Sequence, residues 1–162
     1  EDGVGDACDE APAFVLIQFK YDQRCLRSTE GNGVRSTGDC DSNQMDQRWE
    51  MFENDGHWAF KNMANGQCLS QSGNSIGPWT AITEGCEGNE KQRWAVETYD
   101  QGGLDPSHPH RLHNQERDFC LYTDLTGLVY GTIWNCGLAG TENNRKIGIY
   151  SGGDFSGSPI TP

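Results

Sequence analysis

The chain has 162 residues, a net charge of −12 and only 34% hydrophobic residues. It lacks the Lys/Arg cluster that nucleic acids or anionic membrane surfaces require, and no apolar run approaches the roughly 18 residues of a membrane span. Five Trp, five Tyr, six Phe and seven Cys argue against a disordered chain. These features predict one loop-rich, cysteine-stapled domain that neither binds nucleic acid nor inserts into a membrane.

Short predicted strands follow one another along the chain, and no stretch shows a convincing helical period. They form three groups of four, which we number repeats one to three. Strands are predicted at 14–19, 24–28, 33–37 and 47–52, then at 58–62, 67–71, 80–83 and 92–97, and finally at 111–113, 119–123, 131–135 and 146–150. One such unit cannot bury its own apolar face, so the three are expected to close around a pseudo-threefold axis.

Six of the seven cysteines form neighbouring pairs along the chain. Each first Cys precedes a Leu, and each second Cys lies a few residues before a polar triplet. The triplets are Gln47-Arg48-Trp49, Gln92-Arg93-Trp94 and, in altered form, Asn144-Arg145-Lys146. Zinc sites expect closely spaced Cys pairs, which the sequence lacks, so disulfides are favoured. We predict bonds Cys25–Cys40, Cys68–Cys86 and Cys120–Cys136, and with them an oxidising, extracellular location.

This combination of Cys-Leu, a second Cys and Gln-x-Trp in each repeat resembles the ricin-type β-trefoil lectin domain. The resemblance implies an all-β fold, a disulfide-stapled β-trefoil of three four-stranded repeats at about 14–56, 57–104 and 105–150. Residues 1–13 are then an N-terminal arm, and residues 151–162 are a C-terminal tail. The resemblance also implies that Trp49 and Trp94 lie in the shared core. Because Lys146 stands where the third Trp is expected, Ile147 or Ile149 should take its core role.

The resemblance further implies a sugar pocket in each repeat, built from three positions. These are an acidic residue two after the first Cys, an aromatic residue two before the second Cys, and Asn or Asp just before the triplet. The positions hold Arg27, Gly38 and Asp46 in repeat one, and Ser70, Glu84 and Lys91 in repeat two. Repeat one therefore keeps only its last residue, and repeat two keeps none.

Repeat three is the remaining candidate for glycan binding. Trp134 and Asn143 match the pattern, Tyr122 stands at the acidic position, and Asp124 lies two residues later. The sequence therefore predicts a secreted lectin-like module that binds glycan weakly through Trp134, Asn143 and either Asp124 or Tyr122. The alternative is a non-catalytic structural or interaction subunit of an extracellular assembly that has lost sugar binding. In that case, Trp134 packs within its own lobe.

The seventh cysteine, Cys8, precedes the first predicted strand. An unpaired Cys in an oxidising compartment indicates either an intermolecular bond or a free thiol. We predict a disulfide from Cys8 to another polypeptide, either a second copy or a different chain. The alternative is a buried or glutathione-capped thiol. A reactive catalytic thiol is less favoured in this acidic setting.

Two other segments resemble metal sites. Residues 39–50 imitate a calcium loop, but Gln44 replaces the required Gly and no helices flank it, so at most a weak surface site is expected among Asp39, Asp41 and Asp46. His108, His110 and His113 are clustered, although a proline-broken polar loop is the favoured interpretation. The sequence contains no identifiable catalytic arrangement, so we predict a non-enzyme without cofactor or metal.

Overall fold

The structure is a computed structural model, and it describes residues 13–71, 81–116, 120–123, 129–132, 142–152, 154–155 and 158–162. These ranges contain twelve β-strands and four short 3₁₀ turns, with no α-helix among them. The strands are β1 Val15–Phe19, β2 Arg27–Ser28, β3 Val34–Arg35, β4 Trp49–Asn54, β5 His57–Asn62, β6 Cys68–Gln71, β7 Ala81–Glu84, β8 Trp94–Thr98, β9 His110–Asn114, β10 Cys120–Thr123, β11 Val129–Thr132 and β12 Ile147–Ser151. The 3₁₀ turns are Glu30–Asn32, Met45–Gln47, Glu90–Gln92 and Glu142–Asn144. Each strand overlaps one of the predicted segments.

Six strands form a closed antiparallel barrel in the order β1, β4, β5, β8, β9, β12 and back to β1. Each repeat contributes two of them. The other six strands form three hairpins, β2–β3, β6–β7 and β10–β11. One bridge joins each hairpin to the barrel at the first Cys of its repeat. This threefold arrangement confirms the predicted β-trefoil.

The two tryptophans of the Gln-x-Trp triplets lie in the core of the barrel. Trp49 and Trp94 are fully buried, and their indole N–H groups donate to the carbonyls of Leu26 and Leu69, each at 3.0 Å. Both leucines directly follow the first Cys of their repeat. The recurrent Cys-Leu and Gln-x-Trp motifs are thus two halves of one buried contact.

The glutamines of the triplets hold the loop that carries the second Cys. Gln47 accepts a hydrogen bond from the Asp41 N–H at 2.8 Å and donates one to the Asp39 carbonyl at 3.0 Å. Gln92 makes the equivalent bonds to the residues on either side of Cys86. Two of the predicted disulfides are present, Cys25–Cys40 and Cys68–Cys86.

The third repeat is only partly described. Cys120 is disulfide-bonded, and its predicted partner Cys136 lies outside the described residues. Cys8 and its predicted interchain bond also lie outside them. Ile147 and Ile149 are both fully buried in the core, as expected of the residues that replace the third Trp.

The strand register shifts the third triplet by one residue. Trp49, Trp94 and Ile147 are the first residues of β4, β8 and β12. Their cross-strand partners are Asn62, Asn114 and Phe19, respectively. The main-chain hydrogen bonds agree with this register. The carbonyl of Lys146 accepts from the N–H that follows β1, and the carbonyls of Arg48 and Arg93 accept from the N–H groups that follow β5 and β9, each at 2.9 Å.

The structural triplet of repeat three is therefore Arg145-Lys146-Ile147, and the predicted Asn144-Arg145-Lys146 is wrong by one position. Burial of Ile147 in the core sets the register of β12. The sequence prediction relied only on the likeness of the side chains in Asn-Arg-Lys to those in Gln-Arg-Trp. Lys146 consequently takes the place of Arg48 and Arg93 rather than that of a Trp.

The loop 99–109, between β8 and β9, packs across the seam where β1 meets β12. Lys20 Nζ lies 2.7 Å from Asp105 Oδ2, and Lys146 Nζ donates to the Gly103 carbonyl at 2.5 Å. The Tyr150 hydroxyl donates to the Ser107 carbonyl at 2.7 Å. The loop thereby links the first and last strands of the barrel.

Part of the predicted tail packs on the barrel. Strand β12 extends to Ser151, one residue into the range assigned to the tail. The Ile160 N–H donates to the Ile149 carbonyl at 2.8 Å, and its side chain packs against the core. The ring of Phe155 lies 4.8 Å from that of Tyr150, centroid to centroid.

Candidate glycan-binding site

In repeat one, the chain's own side chains occupy the sugar position. Arg27, which replaces the acidic residue, places Nη2 2.5 Å and Nε 3.1 Å from Asp46 Oδ2. Its Nη1 donates to the Thr37 carbonyl at 3.2 Å. An open groove of about 500 Å³ surrounds this ion pair. Asp46, the only sugar-binding residue that repeat one keeps, is therefore bound to an internal cation.

Repeat two closes the same position in another way. Ser70 is fully buried, and its hydroxyl donates to Glu84 Oε2 at 3.0 Å. The Lys91 carbonyl accepts from Asn114 Nδ2 at 2.9 Å. The residues at the acidic and aromatic positions thus bond to one another.

Repeat three brings two of its predicted residues onto neighbouring segments. Tyr122 lies half-buried on β10, and Asn143 is exposed on the 3₁₀ turn Glu142–Asn144. Asn144 Nδ2 donates to the Thr123 carbonyl at 2.7 Å, which ties that turn to the end of β10. The other two predicted residues, Asp124 and Trp134, lie outside the described residues.

Two residues at this site were missed in the sequence, Asn144 and Arg145. The register places Asn144 where Asp46 and Lys91 stand in the other repeats, but its buried amide is bonded to Thr123, so Asn143 remains the exposed amide. The Arg145 guanidinium lies 5.4 Å from the centroid of the Tyr122 ring. The alternation of Ile147 and Ile149 with smaller or polar neighbours was the available signal, because it sets the strand and hence the triplet.

Comparison with known families bears on this arrangement. Residues 45–124 match a family described as ricin-type beta-trefoil lectin domain-like. The resemblance to the ricin-type β-trefoil lectin domain is confirmed. Among curated proteins, no sequence matches significantly. The matched residues begin at the 3₁₀ turn Met45–Gln47 of repeat one and extend past β10, so they include parts of all three repeats of this trefoil.

Solved structures share the trefoil fold at low sequence identity. The Macrolepiota procera ricin B-like lectin in complex with lactose has a TM-score of 0.66 at 10% identity, covering 87% of this chain and 96% of that chain. A salivary protein of the Cysteine and Tryptophan-Rich family from Culex quiquefasciatus has a TM-score of 0.67 at 17% identity, with coverages of 88% and 95%. SeviL bound to asialo-GM1 saccharide has 0.62 at 15% identity, with coverages of 86% and 98%. At these identities the likeness establishes the fold alone.

The three clustered histidines of the trefoil have separate environments. His108 and His110 are buried, and burial lowers the pKa of both imidazoles. His113 Nδ1 lies 3.0 Å from Glu97 Oε1. Across the described ranges, no group of three or more His, Cys, Asp or Glu residues is placed to hold a metal ion.

The loop 99–109 carries a carboxylate with a strongly shifted pKa. Burial alone would raise the pKa of Asp105, but the Lys20 ammonium and two hydrogen bonds from Ser107 outweigh it and hold that pKa far below its usual range. This carboxylate therefore stays ionised and keeps its ion pair.

In the parts of the chain that the structure describes, no helix is long and apolar enough to cross a membrane.

Proposed function

We propose that the trefoil is a carbohydrate-binding module that binds glycan weakly through its third repeat. The observation that carries this proposal is the Asn144–Thr123 hydrogen bond, which holds the turn bearing Asn143 against the strand bearing Tyr122. Trp134 and Asp124 are proposed to complete the pocket. The ring stacks on the apolar face of a sugar, while the amide and carboxylate hydrogen-bond adjacent hydroxyls.

The other repeats support a single site. At the corresponding positions, Arg27 bonds to Asp46 Oδ2, and Ser70 bonds to Glu84 Oε2. A sugar there would have to break an existing hydrogen bond before making its own. One shallow pocket predicts an affinity of about millimolar, or roughly −4 kcal/mol, so useful binding would require several copies.

A glycan array followed by calorimetric titration tests this proposal. Lactose and the asialo-GM1 saccharide are the first probes, because two proteins of the same fold are seen with them. We expect wild type to bind, with binding lost in Trp134→Ala and strongly weakened in Tyr122→Ala. Arg27→Ala, the matched change in repeat one, should leave binding intact. If Arg27→Ala abolished binding and Trp134→Ala did not, the site would lie in repeat one, and the proposal for repeat three would be refuted.

The alternative function is a non-catalytic interaction subunit. The internal pairs in repeats one and two favour it, since both sugar positions are already filled by the chain itself. This alternative predicts no wild-type signal on the array and no effect of Trp134→Ala except on stability. The family match is to a lectin-like, non-catalytic class, which agrees with either function.

We further propose an extracellular location and a covalent partner at Cys8. The disulfides of repeats one and two support an oxidising compartment. Non-reducing electrophoresis of native material should show a band above monomer mass that collapses on reduction and is absent in Cys8→Ser. A monomer band with one titratable thiol would contradict the covalent partner.

A further inference from the structure

Arg145 occupies a position that is neutral in the other two repeats. The strand register aligns it with Gln47 and Gln92, which are each 1% exposed, whereas Arg145 is 0% exposed. A buried guanidinium is far more costly to desolvate than an amide, so its presence calls for a compensating contact.

One compensating contact is the ring of Tyr122. The 5.4 Å between the Arg145 Cζ and the ring centroid lies within the range of a cation–π interaction. The residue before Arg145, Asn144, donates a hydrogen bond to the carbonyl of Thr123, which follows Tyr122 on β10. Two consecutive residues therefore hold two consecutive residues at the end of β10.

The pairing of these two positions explains why repeat three has an arginine at the first triplet position, where the other repeats have a glutamine. The residue two after the first Cys and the first residue of the structural triplet are Arg27 and Gln47 in repeat one, Ser70 and Gln92 in repeat two, and Tyr122 and Arg145 in repeat three. The buried cation is found in the repeat that has an aromatic ring to receive it. The two substitutions form a matched pair within one chain.

We propose that Arg145 is a positioning residue of the third-repeat site, which holds the Tyr122 ring in one orientation for the incoming sugar. This inference rests on the proposed function, because Tyr122 is there a ligand-contacting residue. A ring that is already fixed loses less conformational entropy when a sugar stacks on it. Arg145 itself, being buried, makes no contact with the ligand.

The decisive variant is Arg145→Gln, because it installs the residue that the other two repeats bury at this position. It removes the cation while keeping a side chain suited to the site. We expect lactose affinity, measured by titration, to fall about two- to fivefold. Arg145→Lys, which retains the charge, should recover part of that loss. In a Tyr122→Ala background, Arg145→Gln should have no further effect.

Ring NMR of Tyr122 separates this inference from the proposed function. Arg145→Gln should broaden and shift the Tyr122 ring signals while leaving the rest of the β-sheet spectrum like that of wild type. If wild type binds neither lactose nor the asialo-GM1 saccharide, the proposed function fails on these probes, and the ring signals still report the positioning. Unchanged ring signals, or an equal loss of affinity in the Tyr122→Ala background, would overturn the role of Arg145.

Discussion

At the residue scale, Trp49 stabilises its repeat both by packing and by a hydrogen bond. Its ring fills the barrel, and its indole N–H satisfies the carbonyl of Leu26, which has no access to water at this depth. A buried carbonyl that loses its donor costs its full desolvation penalty. In repeats one and two, Trp thus supplies both volume and a donor, whereas Ile147 of repeat three supplies volume alone.

Trp49→Phe should lower the free energy of unfolding by about 1–3 kcal/mol, because the ring volume is largely kept while the Leu26 carbonyl is left unpaired. Urea unfolding followed by circular dichroism measures the change. Trp58→Phe is the control, since Trp58 is half-buried and makes no side-chain hydrogen bond within the described part of the chain. An equal loss in the two variants would refute the hydrogen-bond argument.

Gly148 lies where the backbone leaves no room for a side chain. A Cβ placed there would meet the Ser107 carbonyl of the loop 99–109 closer than real Cβ contacts allow. Gly148→Ala should destabilise the protein by about 1–3 kcal/mol through overpacking, and it should loosen that loop. Gly85→Ala is the matched control, because its Cβ would meet open space. Thermal unfolding and hydrogen exchange of the loop amides check both, and equal behaviour of the two variants would count against the close approach.

The sequence predicted the fold from residues whose chemistry is local. The Cys spacing and the Gln-x-Trp recurrence reflect contacts inside one lobe, so they are visible in one dimension. The Arg27–Asp46 pair was not foreseen, because it depends on how the hairpin and the turn face one another. The third triplet was misplaced for a related reason, since only the register of β12 against β1 shows that Arg145, and not Asn144, is the first residue of the triplet.

At the element scale, the loop 99–109 is the longest described connection that joins two barrel strands, and it carries buried titratable groups. His108 Nε2 lies 2.9 Å from Gln18 Oε1, and its Nδ1 lies 3.0 Å from Ser107 Oγ. His110, two residues after His108 and at the start of β9, is also buried. Both imidazoles are held in their neutral form by burial, which ties the stability of this element to pH.

Stability should fall as the pH drops below the ordinary His value of about 6.5. The folded-state pKa of His108 and of His110 is lowered, so the unfolded chain takes up protons first and is favoured by acid. Asp105 acts in a separate window, because its lowered pKa adds stability that is lost only in stronger acid. Urea unfolding from pH 7.5 to 5.5 measures the decline. The double variant His108→Gln, His110→Gln should flatten it, and an unchanged slope would place the titrating groups elsewhere.

At the scale of the whole molecule, closure of the barrel makes the three repeats interdependent. Each repeat supplies two of the six barrel strands, and each barrel strand pairs with one strand of its own repeat and one strand of a neighbouring repeat. Removing one repeat would open two sheet edges and expose the shared core. We therefore expect cooperative unfolding of the whole domain rather than lobe by lobe.

The disulfide of repeat one provides a test of this interdependence. Replacing Cys25 and Cys40 together by Ser removes a constraint on a loop with a sequence separation of 15 residues. The free energy of unfolding should fall by about 3 kcal/mol, mainly because the unfolded chain gains freedom. Since repeat one cannot leave the barrel alone, the loss should appear as one earlier transition, with tryptophan fluorescence and circular dichroism still coincident.

The corresponding change in repeat two, with Cys68 and Cys86 replaced by Ser, is the matched comparison. Its loop is slightly longer, with a separation of 18, so the entropic model gives almost the same loss. If the lobes were independent, each variant would instead show a partial early transition, with the signal of its own buried Trp changing first. Coincident transitions of equal size in the two variants would mean that each disulfide stabilises the closed barrel as a whole and not only the lobe that contains it.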